Sequence, residues 1–140
     1  MLKRIATASI VLTFVVSGAA FAAARSTGTT VDLHKTSLGK VLATSKGRTL
    51  YLYTADGKNK SKCTGSCAAA WPPLLTKGKP VAGTGVNKSL LGTAKRSGGK
   101  VQVTYNRHPL YTYTGDSKAG QTNGEGVGNF FVVKVSGKKG

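Results

Sequence analysis

RTLYLYTAD at 48–56 and HPLYTYTGD at 108–116 carry the same Leu-Tyr-x-Tyr-Thr-x-Asp string, 60 residues apart. The match extends outward without a gap. Gly39-Lys40-Val41 falls on Gly99-Lys100-Val101, Thr44 on Thr104, Lys58 on Lys118, and Trp71 on Phe131, an aromatic on an aromatic. Self-similarity at a fixed period marks a repeat architecture. Two copies are too few for a solenoid, so the expected arrangement is a tandem duplication closed about a pseudo-two-fold axis.

Each copy reads as a β-hairpin. In the first, a short strand at 41–44 meets turn-rich Ser45-Lys46-Gly47-Arg48, and the return strand covers 49–54. Gly47 suits a left-handed turn position, and the return strand is rich in β-branched and aromatic types. The second copy repeats this with strands at 101–105 and 109–114 around Asn106-Arg107-His108. A strand alternates its side chains between two faces. Leu50 and Leu52 therefore share one face, Tyr51 and Tyr53 the other, and Tyr111 and Tyr113 pair likewise.

Beyond the hairpins the copies diverge. The first passes through Cys63-Thr-Gly-Ser-Cys67 to Ala68-Ala69-Ala70-Trp71-Pro72-Pro73. Alanines favour a helical turn, and the prolines stop it. The second has a glycine-rich loop at 120–128, then a strand at 130–135. Between the copies, 77–85 reads as loop, and Asn87 can cap a short helix. Val31 to Leu33 suits an edge strand. The expected fold is mainly β: two hairpin-based repeats (38–75 and 98–135) in one domain at 38–136, with one or two short helical turns. An N-terminal segment at 25–37 precedes it. Residues 25–30 and a basic tail at 137–140 are expected to fray.

The chain opens as a secretory leader at 1–24. Lys3 and Arg4 precede an apolar stretch at 10–16, and Ala20-Phe21-Ala22 and Ala22-Ala23-Ala24 both fit the A-x-A cleavage pattern. The apolar stretch falls short of the roughly 20 residues a spanning helix needs. No cysteine lies near the cleavage site, so a lipid anchor is not indicated. The expected product is exported and soluble. Losing Lys3 and Arg4 lowers the formal charge from +17 by two, to +15. Such a basic surface favours solubility and attraction to anionic partners, here an envelope polymer or an anionic lipid surface. No zinc-finger, RNP or helix-turn-helix pattern points to specific nucleic-acid binding.

The sequence of L-Y-x-Y-x-x-D, C-x-G-x-C-A-x-x-W-P-P-L, Q-V-T-Y-N-x-H-P-L-Y-x-Y-x-x-D and G-Q-T-N-G-x-G-V resembles the bacterial secreted-repeat family, predicted lipoproteins with a Y-x-[FWY]-x-x-D motif. The resemblance covers about residues 38–136 and implies an exported domain without an assigned biochemical role, and no catalytic residue is carried over from it. Members often have a lipoprotein cysteine, which this chain lacks. They often have Gly at the position of Arg107, and a pair such as Trp-Tyr where Phe130-Phe131 stands.

Three groups of residues are candidates for chemistry. Asp56 and Asp116 are two of four acidic residues in the chain. A close pair of carboxylates suits acid–base work or a cation, whereas separate aspartates suit turn capping. Tyr51, Tyr53, Tyr111 and Tyr113, with Trp71, suit either a ligand groove or cross-strand packing. Hydroxyl groups bonded to the neighbouring aspartates would tie each motif into one structural unit. Cys63 and Cys67 are expected as a disulfide in an exported chain. The alternative is a copper or redox site using both thiols with His108 or His34. No nucleophile elbow, phosphate loop, HExxH or EF-hand is present. No cofactor is expected, and the expected role is a non-catalytic binding or structural module at the cell envelope.

Overall fold

The structure, a computed structural model, describes residues 10–18 and 27–140. Both expected cleavage sites, and the basic start of the leader, lie outside the described residues. Among the described residues no helix is long and apolar enough to cross a membrane.

Strand β1 (Thr30–Thr36) turns back through Ser37-Leu38 into β2 (Gly39–Thr44). The pair is antiparallel, from Val31 opposite Thr44 to Thr36 opposite Gly39. Gly39 follows the tight turn at φ 91, a left-handed value that glycine adopts without a Cβ clash. β1 was expected as an edge strand at Val31 to Leu33. It instead lies in the middle of its sheet, between β2 and β4 (Val81–Ala82). β4 runs parallel to β1 within the segment expected to be all loop.

The chain then follows the expected hairpin. Thr44 N–H bonds the Arg48 carbonyl at 2.8 Å, Gly47 takes φ 81, and Leu50 N–H bonds the Leu42 carbonyl at 2.9 Å. The regular part of the return strand is shorter than 49–54: β3 covers Tyr51–Tyr53. Helix α1 (Ser66–Ala70) is the expected turn, ended by Trp71 and the two prolines. Asn87 caps a 3-10 turn at Lys88–Leu90, its side chain accepting from Ser89 N–H at 3.1 Å.

In the second copy β5 (Leu91–Lys95) pairs with β6 (Val101–Tyr105), and β6 with β7 (His108–Pro109). Strand β8 (Phe130–Val132) is shorter than expected and lies against β3. The repeats thus begin before 38 and 98, because β1 and β5 each belong to a copy. The tail at 137–140 does not fray: Lys134 N–H bonds the Lys138 carbonyl at 2.9 Å, and Gly140 N–H bonds the Val132 carbonyl at 2.9 Å. At the other end Thr29 is also tied in, its N–H to Thr76 Oγ1 at 3.0 Å.

The two copies meet at Tyr51 and Tyr111. Tyr51 N–H bonds the Tyr111 carbonyl at 2.8 Å, and Tyr111 N–H bonds the Tyr51 carbonyl at 3.0 Å. Equivalent residues exchanging both backbone bonds place the pseudo-two-fold axis between them. Other contacts obey the same axis. Leu42 N–H bonds the Val133 carbonyl, while Val103 N–H bonds the Leu74 carbonyl. The central strands separate two cores. Leu50, Leu52 and Leu110 join Val31, Leu42 and Val103 on one side. Tyr51 and Tyr111 join Trp71, Phe130 and Cys63 on the other. The two-residue alternation therefore sorts leucines from tyrosines as expected, with both faces buried.

Candidate functional site

The tyrosine face is an ordered ring stack. Tyr53 lies 4.4 Å from Phe130, Phe130 3.8 Å from Trp71, and Trp71 4.2 Å from Tyr113, centroid to centroid. The axis passes between Phe130 and Trp71. Tyr51 meets Trp71 edge-on at 5.3 Å, and Tyr111 meets Phe130 edge-on at 5.4 Å. Edge-to-face contact sets a positive ring edge against a negative ring face. The structural counterpart of Trp71 is thus Phe130, one residue from the Phe131 that a gapless alignment selects. The backbone agrees: Thr54 N–H bonds the Asn129 carbonyl, and Thr114 N–H bonds the Ala70 carbonyl. Phe131 instead sits half-buried under the Lys139 ammonium at 4.3 Å.

The aspartates do not bond the tyrosines of their own copy. The Tyr51 hydroxyl donates to Asp116 Oδ2 at 2.6 Å, and the Tyr111 hydroxyl donates to Asp56 Oδ2 at 2.7 Å. Each copy's tyrosine is held by the other copy's carboxylate. The remaining oxygens close the following loops: Asp56 Oδ1 accepts Lys62 N–H at 2.7 Å, and Asp116 Oδ1 accepts Asn123 N–H at 2.9 Å. The aspartates therefore cap turns, as one reading expected, and they also lock the copies together. Among the described residues neither carboxylate bonds the other: each oxygen is taken by a tyrosine hydroxyl or a loop N–H.

The third partners differ between copies. The Tyr111 hydroxyl lies 2.6 Å from Ser61 Oγ. Arg96 reaches Ser61 Oγ at 2.6 Å, Gln102 Oε1 at 2.9 Å and the Cys63 carbonyl at 2.8 Å. The Tyr51 hydroxyl instead accepts Gly124 N–H, from the second copy, at 3.2 Å. A Cβ at Gly124 would lie 2.7–2.9 Å from Trp71 and Tyr51 atoms, so only glycine lets the backbone approach that closely. Sequence reading missed Ser61, Arg96 and Gln102. Gln102 and Gly124 stand inside the motif strings, but nothing local marks them as partners of a distant tyrosine.

Cys63 and Cys67 form a disulfide, with Cα atoms 5.2 Å apart. Among the described residues no three histidine, cysteine or acidic side chains are placed to hold a metal ion. Cys63, Cys67 and His108 are therefore not brought together as a ligand set. His34 lies elsewhere, with its ring against Gly47 and Gly120.

Burial raises the Tyr51 and Tyr111 hydroxyls well above the usual tyrosine range, and the hydrogen bonds to Asp116 and Asp56 raise them further. Burial also raises Asp56, against the lowering effect of the Lys62 N–H and the Tyr111 hydroxyl. Burial lowers His108, and the Asp56 charge opposes that shift. A group with a raised folded pKa contributes stability that is present below its unfolded pKa and lost as pH rises through the folded value. For the two tyrosines that loss begins near pH 10. Urea unfolding should show stability falling above about pH 10. The Tyr51→Phe/Tyr111→Phe double variant should lose less over the same range. Lysine titration affects both proteins alike, so parallel alkaline limbs would refute the tyrosine contribution.

The domain has one architecture written twice, with an interlocked tyrosine–aspartate pair at its axis. A family model described as a secreted repeat of unknown function matches residues 33–75 and 92–134, more than half of the chain. The chain belongs to this secreted-repeat family. Each matched segment starts at or within the first strand of a copy, β1 or β5, in keeping with the structural repeat. No curated protein and no solved structure is found to match.

Proposed function

We propose that this secreted-repeat domain is a non-catalytic module that binds anionic polymer of the cell envelope. The observation that carries the reading is the division of charge between inside and outside. The chain has 21 lysines and arginines against four acidic residues. Asp56 and Asp116 face tyrosine hydroxyls, and Glu125 Oε2 accepts Val132 N–H at 2.6 Å. Asp32 packs on Gly83, where a Cβ would collide with it. Asp56, Asp116 and Glu125 are thus held by hydrogen bonds within the fold, and four carboxylates against 21 cations leave a large positive excess.

A groove between edge strands β4 and β5 is lined by Lys77, Lys79 and Lys88 over Pro80 and Leu91, with no acidic residue. A field of one sign attracts a polyanion from a distance and weakens with salt. Binding of purified wall polymer should weaken about tenfold or more between roughly 50 and 200 mM salt, as expected when several phosphate contacts release counterions. No binding at the lower salt, or binding indifferent to salt, would overturn the reading.

A further inference from the structure

The pseudo-two-fold axis relates two surface clefts. One, beside Asp116, is flanked by Arg48; the other, beside Asp56, is flanked by His108. Arg48 and His108 are equivalent, and each follows the last residue of its hairpin turn. That last residue is Gly47 in the first copy and Arg107 in the second. Both are left-handed, at φ 81 and φ 66. Asn106 before it is also left-handed, at φ 48, completing a two-residue turn between Tyr105 and His108. Such a turn favours Asn followed by Gly. An arginine there costs backbone strain that glycine avoids, and the longer, three-residue turn of the first copy places glycine, Gly47, at its own left-handed end.

Strained positions cluster where a side chain is needed for function. The Arg107 backbone is further held by Asn59, itself at φ 53, whose N–H bonds the Arg107 carbonyl at 2.9 Å. The Arg107 side chain is exposed and makes no hydrogen bond or ion pair among the described residues, and the same is true of Lys58 across the cleft. Arg48, in the sister cleft, is instead spent on the Asp116 carbonyl. The cleft of about 540 Å³ is lined by Lys58, Arg107, His108, Asn106, Ser89 and Asp56, among others. Asp56 is the one carboxylate in that lining, and its oxygens are already engaged by Lys62 N–H and the Tyr111 hydroxyl.

We propose that this cleft is a phosphate-binding site, with Arg107 and Lys58 as its cationic contacts and the Asn106 side chain as a neutral donor. A guanidinium offers phosphate two parallel donors, and an ammonium adds a point charge. The proposal rests on the anionic-polymer reading and narrows it to phosphate groups at one place.

The test uses Arg107→Gly and Arg107→Asn, both compatible with a left-handed turn, and Lys118→Ser as an exposed control of equal charge change. The probes are soluble poly(glycerol phosphate) and vesicles of phosphatidylglycerol in phosphatidylcholine. Both Arg107 variants should bind about tenfold more weakly, the worth of one charge-assisted contact, while melting no lower than wild type. Lys118→Ser should stay within about twofold, as expected for a single exposed, screened charge. Loss with the polymer alone identifies a polymer phosphate, and loss with vesicles alone a lipid headgroup. Equal loss in all three variants would overturn the site but leave the basic-surface reading standing. Lower melting of both Arg107 variants would show a structural role and overturn it too. No wild-type binding to either probe would overturn both readings.

Discussion

Trp71→Ala is expected to destabilise the domain by about 3–5 kcal/mol, the usual cost of truncating a buried aromatic. Trp71 is 6 % exposed and touches four partners at once: stacked Phe130 and Tyr113, edge-on Tyr51, and the close backbone of Gly124. An alanine leaves a cavity that the neighbours cannot fill without breaking the axis contacts. A domain of this size is stable by only about 5–15 kcal/mol, so the variant is marginal. Trp71→Phe keeps a stacking ring and should recover much of the loss. Urea unfolding of the two variants checks this. A cost below about 1 kcal/mol for Trp71→Ala, the level of an ordinary surface change, would show that the stack is not a main support of the fold.

Asp116→Ala is expected to cost about 1–3 kcal/mol, because it orphans a buried donor, the Tyr51 hydroxyl, and removes the acceptor of the part-buried Asn123 N–H. Asp116 is 5 % exposed and Tyr51 0 %, so water reaches neither group freely. The sharper measurement is a pair of double-mutant cycles. Tyr51→Phe combined with Asp116→Ala should show coupling of about 1–3 kcal/mol. Tyr51→Phe combined with Asp56→Ala should add within about 0.5 kcal/mol, as distant sites do. Coupling inside one copy, Tyr51 with Asp56, would contradict the crossed arrangement. The crossing also explains why the motif occurs twice. A single copy has a tyrosine with no carboxylate and a strand with no partner at the axis, so the two halves satisfy each other.

Much of the local structure was legible from residue order. The turn at Gly47, the helical turn ended by Pro72 and Pro73, the cap at Asn87 and the leucine/tyrosine alternation are set by nearest neighbours. The Cys63–Cys67 disulfide is equally local, separated by four positions. Beyond strand lengths, the main misreadings concern longer range. β1 was expected at an edge because its own composition cannot show that β4 arrives from 51 residues downstream. The tail was expected to fray because its bonds to the Val132 and Lys134 segment are tertiary.

For the tyrosine–aspartate contacts, the sequence marked residues that do meet and assigned them the wrong partners. Tyr51, Tyr111, Asp56 and Asp116 are recognisable because they recur. Proximity in sequence suggested bonds within each motif, whereas the antiparallel pairing at the axis carries each tyrosine past its own aspartate to the other one. Arg96 and Gln102 were invisible as members of this network because they lie outside the Tyr111 strand: Arg96 meets Ser61 Oγ, the neighbour of the Tyr111 hydroxyl, and Gln102 Oε1 only in the folded domain.

By itself, the sequence determined that the domain is built twice, where the two hairpin turns and the proline-ended helical turn lie, and that the chain is strongly basic. These follow from backbone preference, side-chain alternation and charge, all of which act within a few residues. The tertiary structure alone decided that the copies interlock, that Phe130 rather than Phe131 matches Trp71, and that Arg107 is held in a left-handed turn beside Lys58. Those facts depend on how two distant segments satisfy their buried hydrogen-bonding groups at once, and no local preference encodes that choice.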